Sequence, residues 1–251
     1  MRTIDLNCDM GESFGSWKMG NDAAIIKYVT SVNIACGFHA GDPTTMRKTV
    51  ELALENSVAI GAHPSFPDLQ GFGRREMSLD PAEVYDIVAY QVSALKGVCE
   101  ASGGKLHHVK PHGALYNQAA KQEELSAAVA NSVRSIDAGL ILYGLSGSFL
   151  ISEAEKVGLK TSSEVFADRT YRDDGSLTPR SENNALIVDT ETAVCQVLQM
   201  INERSVTSTK GKIVPIRAET VCIHGDGENA LEFARRLNES LVRNVVEIRT
   251  V

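Results

Sequence analysis

Basic residues are the minority charge in this chain: 25 Lys and Arg stand against 32 Asp and Glu, a formal net charge of -7. Proteins that grip a phosphate backbone carry basic patches that displace its counterions, so nucleic acid is not an expected partner. Long apolar runs are missing as well. The longest are strand-sized, such as Leu140-Ile141-Leu142-Tyr143, far short of the roughly 20 residues that cross a bilayer, and no membrane partner is expected. The first residues, Met1-Arg2-Thr3-Ile4-Asp5-Leu6-Asn7, enter a strand pattern with no basic region, apolar segment or cleavage site ahead of it. The expected location is cytoplasmic. Cys8, Cys36, Cys99, Cys195 and Cys222 leave one cysteine over in any full disulfide scheme, and no C-x-x-C occurs. They read as reduced thiols, with Cys8, Cys36 and Cys222 as small buried hydrophobes on the same parity as aliphatic neighbours in strand-like runs. There is no G-x-x-x-x-G-K-[ST] phosphate loop. Internal repeats, low-complexity tracts and linkers are also absent, which leaves one domain over residues 1–251.

What is present is an alternation of short apolar runs with helical patterns, the mark of βα units feeding a parallel sheet or barrel. The spacing predicts strands at Ile4 to Asp9, Val32 to Gly37, Ala59 to Pro64, Leu106 to Pro111, Leu140 to Leu145, Lys160 to Phe166 and Val221 to Gly225. Asp42-Pro43 and Asp80-Pro81 each open a helix with a capping side chain and a proline at the first turn, and Glu83 stands in the capping-box position. Further helices are expected at Glu123 to Val133, Ser148 to Val157, Glu191 to Asn202 and Glu228 to Val242. Ser205 to Arg217 reads as a β-hairpin turning at Lys210-Gly211-Lys212. The closing Val245-Val246-Glu247-Ile248 run fits either an eighth strand or a surface edge.

Strand side chains alternate between faces, so parity separates those that look into a barrel from those that meet the helices. Ile4, Leu6 and Cys8 share one face of the first strand; Asp5, Asn7 and Asp9 share the other. Asn33, Ala35, Gly37 and His39 fall together on the second, and Gly61 and His63 on the third. Barrel interiors normally close with Val, Ile and Leu, so this small and polar set implies a wet, functional centre. Charge also gathers at strand C-terminal ends: Asp9 and Glu12, His39 and Asp42, His63, Lys110 and His112, Glu164, Asp168 and Arg169, His224 and Asp226. That end is the catalytic face of such barrels. Two local signals are weaker. His108 and His112 have H-x-x-x-H spacing, but Pro111 forbids a regular helix and on a strand they would stand roughly 13 Å apart. Gly144-Leu145-Ser146-Gly147 has Ser148 where a nucleophile elbow needs glycine.

Five blocks then become familiar: Asp5-Leu6-Asn7-Cys8-Asp9-Met10-Gly11-Glu12, Asn33 through Asp42, Gly61-Ala62-His63-Pro64 through Gly71-Phe72-Gly73-Arg74-Arg75, Val109 through Tyr116, and Cys222-Ile223-His224-Gly225-Asp226. With Glu164 through Arg169, Tyr171 and Asp174-Gly175, they resemble the hallmark blocks of the LamB/YcsF family over nearly the whole length. The resemblance implies an α/β fold, a (β/α) barrel that is seven-stranded and related to the glycoside hydrolase and polysaccharide deacetylase barrels. It implies an ATP-hydrolysing cyclic-amide hydrolase, a 5-oxoprolinase: ATP is co-substrate, 5-oxo-L-proline is opened to L-glutamate, and the chain is the A component beside 5-oxoprolinase subunits B and C. A homo-oligomer is compatible with it.

Such chemistry needs a general base, cationic groups for anions and a proton donor for the ring nitrogen. Asp9 is assigned as base or metal ligand, with Glu12 the alternative base. Lys110 and Arg169 would hold anions, and His39, His63, His112 and His224 are donor candidates. Glu164, Asp168 and Asp226 complete the expected constellation. Alternatively, Asp9, His39 and His63 would hold a divalent metal ion as in the related deacetylases. Two rivals follow: a stand-alone metal-dependent deacetylase or amidohydrolase acting on another small amide or sugar, and a non-catalytic binding protein for an acidic metabolite. The density of converging ionisable groups disfavours the second, since each unpaired charge costs desolvation.

Overall fold

The computed structural model describes residues 2–223 and 230–251. Strands β1 (Arg2–Met10), β2 (Ser31–Ala35), β3 (Ala59–His63), β4 (Leu106–Val109), β5 (Ile141–Leu145) and β6 (Lys160–Phe166) follow one another around a parallel sheet. An antiparallel hairpin, β7 (Ser205–Thr207) and β8 (Ile213–Pro215), interrupts the series where the Gly211 turn was expected. Strand β9 (Thr220–Ile223) then pairs in parallel with both β6 and β1 and closes a seven-stranded barrel. The last apolar run forms β10 (Val246–Ile248), parallel to Arg2–Ile4 of β1. It lengthens the sheet below the ring and is not a barrel stave.

Helices α1 (Asp22–Ile25), α2 (Pro43–Glu55), α3 (Pro81–Ala101), α4 (Gly113–Ala119), α5 (Glu123–Ile136), α6 (Phe149–Lys156), α7 (Thr190–Glu203) and α8 (Ala230–Arg243) fill the connections. No helix among the described residues is long and apolar enough to cross a membrane. Parity on β1 holds: Ile4, Leu6, Cys8 and Met10 join one apolar cluster with Val32 and Ile34 of β2 and Val84, Val88, Val92 and Leu95 of α3. Full burial of each large aliphatic side chain contributes about 1.5–3 kcal/mol, which fixes the outer face of every stave and leaves the inner face to polar groups.

Local chemistry sets the helix starts. Asp42 accepts from the Thr44 and Thr45 amides at the head of α2, and its second oxygen accepts from Gly15 N at 2.9 Å, tying down the loop that carries Glu12. At α3 the Asp80 and Glu83 side chains form a complete capping box ahead of Pro81. Asp80→Ala is expected to lower unfolding free energy by about 1 kcal/mol and leave the barrel mouth intact. Urea denaturation checks it, with a cost above about 3 kcal/mol or none at all contradicting the capping account.

Candidate active site

Inward residues of the barrel form one buried polar network whose centre is Lys110, just past the end of β4 and 2% exposed. Its Nζ lies 2.8 Å from Glu164 Oε1, 3.0 Å from Asp9 Oδ1, 3.2 Å from Asn7 Oδ1 and 3.1 Å from Cys222 Sγ. Burial acts to lower the Lys110 pKa, but the charges of Asp9 and Glu164, with the Cys222 sulfur, outweigh it and hold the ammonium well above its ordinary value. Tyr116 OH donates to Glu164 Oε2 at 2.7 Å, and Asn7 Nδ2 donates to Glu164 Oε1 at 3.0 Å. Burial followed by the Glu164 charge pushes the Tyr116 phenol well above its usual pKa, so it stays a donor.

Above this ion set sit three histidines. His63 Nδ1 is 2.7 Å from the Lys110 carbonyl and His112 Nε2 is 2.9 Å from the Phe72 carbonyl. A carbonyl only accepts, so both nitrogens carry hydrogen. The remaining nitrogens, His63 Nε2 and His112 Nδ1, face each other at 2.9 Å. In two neutral rings both would be bare lone pairs, so a proton or another cation belongs between them. Asp9 Oδ2 lies 3.3 Å from the same His63 nitrogen. His39 stacks on His112 at 3.9 Å, fully enclosed, and among the described residues neither of its ring nitrogens meets a hydrogen-bond partner. Burial, then the neighbouring His63, drives the His39 pKa well down; burial, then His39 and His63, does the same to His112.

Glu12, His39, His63 and His112 each bring one ligand atom within 4.8 Å of the others. With the facing lone pairs and the orphaned His39 nitrogens, this set fits a divalent cation. It differs from the set expected from sequence: Glu12 and His112 belong to the group, while Asp9 Oδ1 accepts from Lys110 and from Asn33. Strand β2 ends at Ala35, so parity does not extend to His39; the turn through Gly37 (φ 92) and Gly41 (φ 77) delivers it instead.

The loop over these rings is tightly fitted. Asp68, buried, accepts from the Gly71 and Arg75 amides and pairs with the Arg75 guanidinium. Phe72 is held at φ 54, a strained conformation for an aromatic residue, and its carbonyl meets His112. At Gly73 (φ 64) a Cβ would stand 2.3 Å from Ser65 Oγ and 2.8 Å from His39 Cβ. A cavity of about 390 Å³ opens beside this loop. Asp9, Glu12, His63, Lys110 and His112 line its floor, and Arg74, Lys121, Arg169 and Arg180 lie around it.

Other expected residues fall differently. Arg169 lines the cavity, but its Nε and one Nη donate to the Ala185 and Thr178 carbonyls, so it also braces the loop that forms the cavity wall. Asp168 is not in the lining; its charge lies beside Arg169 and its carbonyl accepts from Ile187 N. His224 and Asp226 lie outside the described residues. Cys222, read from sequence as a hydrophobe among aliphatics, is buried but points inward with Thr220 and touches Lys110. The alternation Thr220-x-Cys222 on β9 was the available signal. Asn7, Asn33 and Tyr116 also enter the network, although local sequence assigns them no role.

The fold has relatives at low identity: the family 4 carbohydrate esterase from Streptomyces lividans superposes over 100% of this chain and 93% of its own at TM-score 0.52 and 12% identity. The crystal structure of the lactam utilization protein from Thermus thermophilus is far nearer, with TM-score 0.94 and 46% identity over 99% of this chain and 100% of that one. The 5-oxoprolinase A subunit of Bordetella parapertussis is 57% identical over 246 residues, 98% of both chains. With a family model matching residues 4–251 as well, the chain belongs to the LamB/YcsF family.

Proposed function

We propose that the chain is the A subunit of a multi-subunit 5-oxoprolinase, a cytoplasmic hydrolase that acts with subunits B and C and with ATP as co-substrate to convert 5-oxo-L-proline to L-glutamate. Residues 1–251 would form its single catalytic domain. One observation carries the reading: a buried Asp9-Lys110-Glu164 ion set and a facing His63-His112 pair form the floor of a small cavity ringed by Arg and Lys.

An unstrained lactam is a poor electrophile, and phosphorylation of its oxygen would activate the ring carbon. Water adds to that carbon as Asp9 takes its proton; Glu12 is the alternative base. Lys110 pairs with Asp9 at 3.0 Å and offsets negative charge that develops during the step. The C–N bond then breaks as the ring nitrogen takes a proton, the one Asp9 removed from water, returned by way of His63 Nε2, 3.3 Å from Asp9 Oδ2. The acyl phosphate left behind is cleaved by a second water to glutamate and phosphate. Arg74, Arg169 and Arg180 suit the substrate carboxylate and the phosphoryl group.

Glutamate release is expected to be negligible from the chain alone and to appear when subunits B and C and ATP are added, because no phosphate loop occurs in the sequence. Full turnover by the isolated chain would overturn the multi-subunit reading. A second reading, a stand-alone metal-dependent deacetylase or amidohydrolase, is favoured by the Glu12, His39, His63 and His112 group. A divalent ion there would supply Lewis acidity and a more acidic bound water. Metal content of the purified chain, together with amide cleavage in the absence of ATP, separates the two.

A further inference from the structure

His108 takes no part in the chemistry above, yet the barrel is built around it. The strand register sets Asp9, Asn33, Gly61 and His108 side by side on four consecutive staves, β1 to β4. Because Gly61 has no side chain, the His108 ring lies across it and reaches Asn33, with Nε2 2.8 Å from Asn33 Oδ1. A Cβ on Gly61 would stand 2.1 Å from that nitrogen, so glycine and ring are a matched pair. The ring is fully buried and stacks on Tyr143 at 4.1 Å. Burial, then the neighbouring His107 and Lys110, lowers its pKa well below the ordinary value, which leaves a neutral ring with one N–H.

The hydrogen-bond accounts determine where that N–H points. Asn33 Nδ2 donates to Asp9 Oδ1 and to Asn7 Oδ1, both at 2.8 Å. Reversing the amide would set its oxygen against a carboxylate and a second carbonyl oxygen. Asn33 Oδ1 must therefore face His108, and His108 Nε2 must donate.

We propose that His108 is a positioning residue for the reaction: by donating to Asn33 it fixes the amide so that its NH₂ holds Asp9 Oδ1 inward and keeps Oδ2 beside His63 and the cavity. The proposal rests on the reading of Asp9 as the base. Loss of the donor lets the Asn33 amide turn over and loosens Asp9, while the Arg and Lys ring that meets the substrate is untouched. The chemical step should suffer and binding should not.

In the enzyme assembled with subunits B and C and ATP, His108→Leu is expected to lower kcat by at least about tenfold, as misplacement of a reacting group does, with KM for 5-oxoproline within about twofold. His108→Gln, whose amide NH₂ can stand where Nε2 stood, should recover most of the loss. In an Asn33→Ala background the Leu and Gln variants should be indistinguishable. Equal loss in both variants, or a rise in KM matching the fall in kcat, would overturn the proposal. If the assembly opens no lactam, crystal structures and the Asn33 side-chain amide NMR signals of the isolated chain still decide it. An Asn33 amide and an Asp9 carboxylate that keep their wild-type positions in His108→Leu would also sink it. Should His108→Leu not fold, His108→Met supplies the same comparison, a similar volume with no N–H donor.

Discussion

Asp9→Asn in the assembled enzyme is expected to lower 5-oxoproline turnover by at least roughly a hundredfold while the barrel stays folded, because the change removes a proton acceptor and almost nothing else. Asp9 Oδ1 accepts from Lys110 Nζ at 3.0 Å and from Asn33 Nδ2 at 2.8 Å, and an asparagine oxygen can accept both. The new amide nitrogen would occupy the place of Oδ2, 3.3 Å from His63 Nε2, where it can donate to that lone pair. Lys110 keeps a full counter-charge in Glu164 at 2.8 Å. The local packing and hydrogen bonds thus survive, and the melting temperature should move by no more than a few degrees for a chain of this size. A mere brace would behave in the opposite way: stability would fall and the rate per folded molecule would hold. Measuring both on one preparation separates the cases, and a destabilised variant with near-normal turnover would remove Asp9 from the chemistry.

The sequence made the barrel legible because its two faces differ so strongly. On β1 the aliphatic set Ile4, Leu6 and Cys8 and the polar set Asp5, Asn7 and Asp9 alternate without exception, and they do face helices and interior respectively. Asp42-Pro43 and Asp80-Pro81 marked the starts of α2 and α3 because caps act through neighbours in sequence. Asp9, Lys110 and Glu164 could be grouped as charges near strand ends, but their shared ion set depends on stagger between β1, β4 and β6, which no local pattern carries. The same limit hid the row of Asn33, Gly61 and His108. Each residue is ordinary alone, and the missing side chain at Gly61 matters only once β3 stands between β2 and β4. The loop over the histidines was equally hidden, because it hinges on a left-handed Phe72 that local sequence does not specify. Cys222 is buried, as expected, but it shares its face with Thr220 and not with the aliphatic Val221 and Ile223, and so it meets Lys110.

Lys110→Met is expected to do more damage than any other single change in this network, and to both stability and turnover. Methionine matches the length and volume of the side chain but removes the cation that lies between Asp9 and Glu164, whose side chains are 10% and 0% exposed. Breaking a buried pair by removing one partner costs about 3–5 kcal/mol, because the other partner is left charged and unpaired. Here two carboxylates lose the same counter-charge. The unpaired carboxylates should therefore destabilise the folded variant by several kcal/mol. Urea denaturation of the variant beside the parent chain reads that loss directly. Glu164→Gln added to Lys110→Met removes one orphaned charge, and the amide oxygen it introduces would still accept from Tyr116, so part of the lost stability should return. Turnover should not return, since the cation that pairs with Asp9 and offsets developing negative charge remains absent; a deficit of at least roughly a hundredfold is expected in both variants. If the double variant regained activity along with stability, Lys110 would be a structural counter-ion for Glu164 and the catalytic centre would have to be sought nearer the histidines.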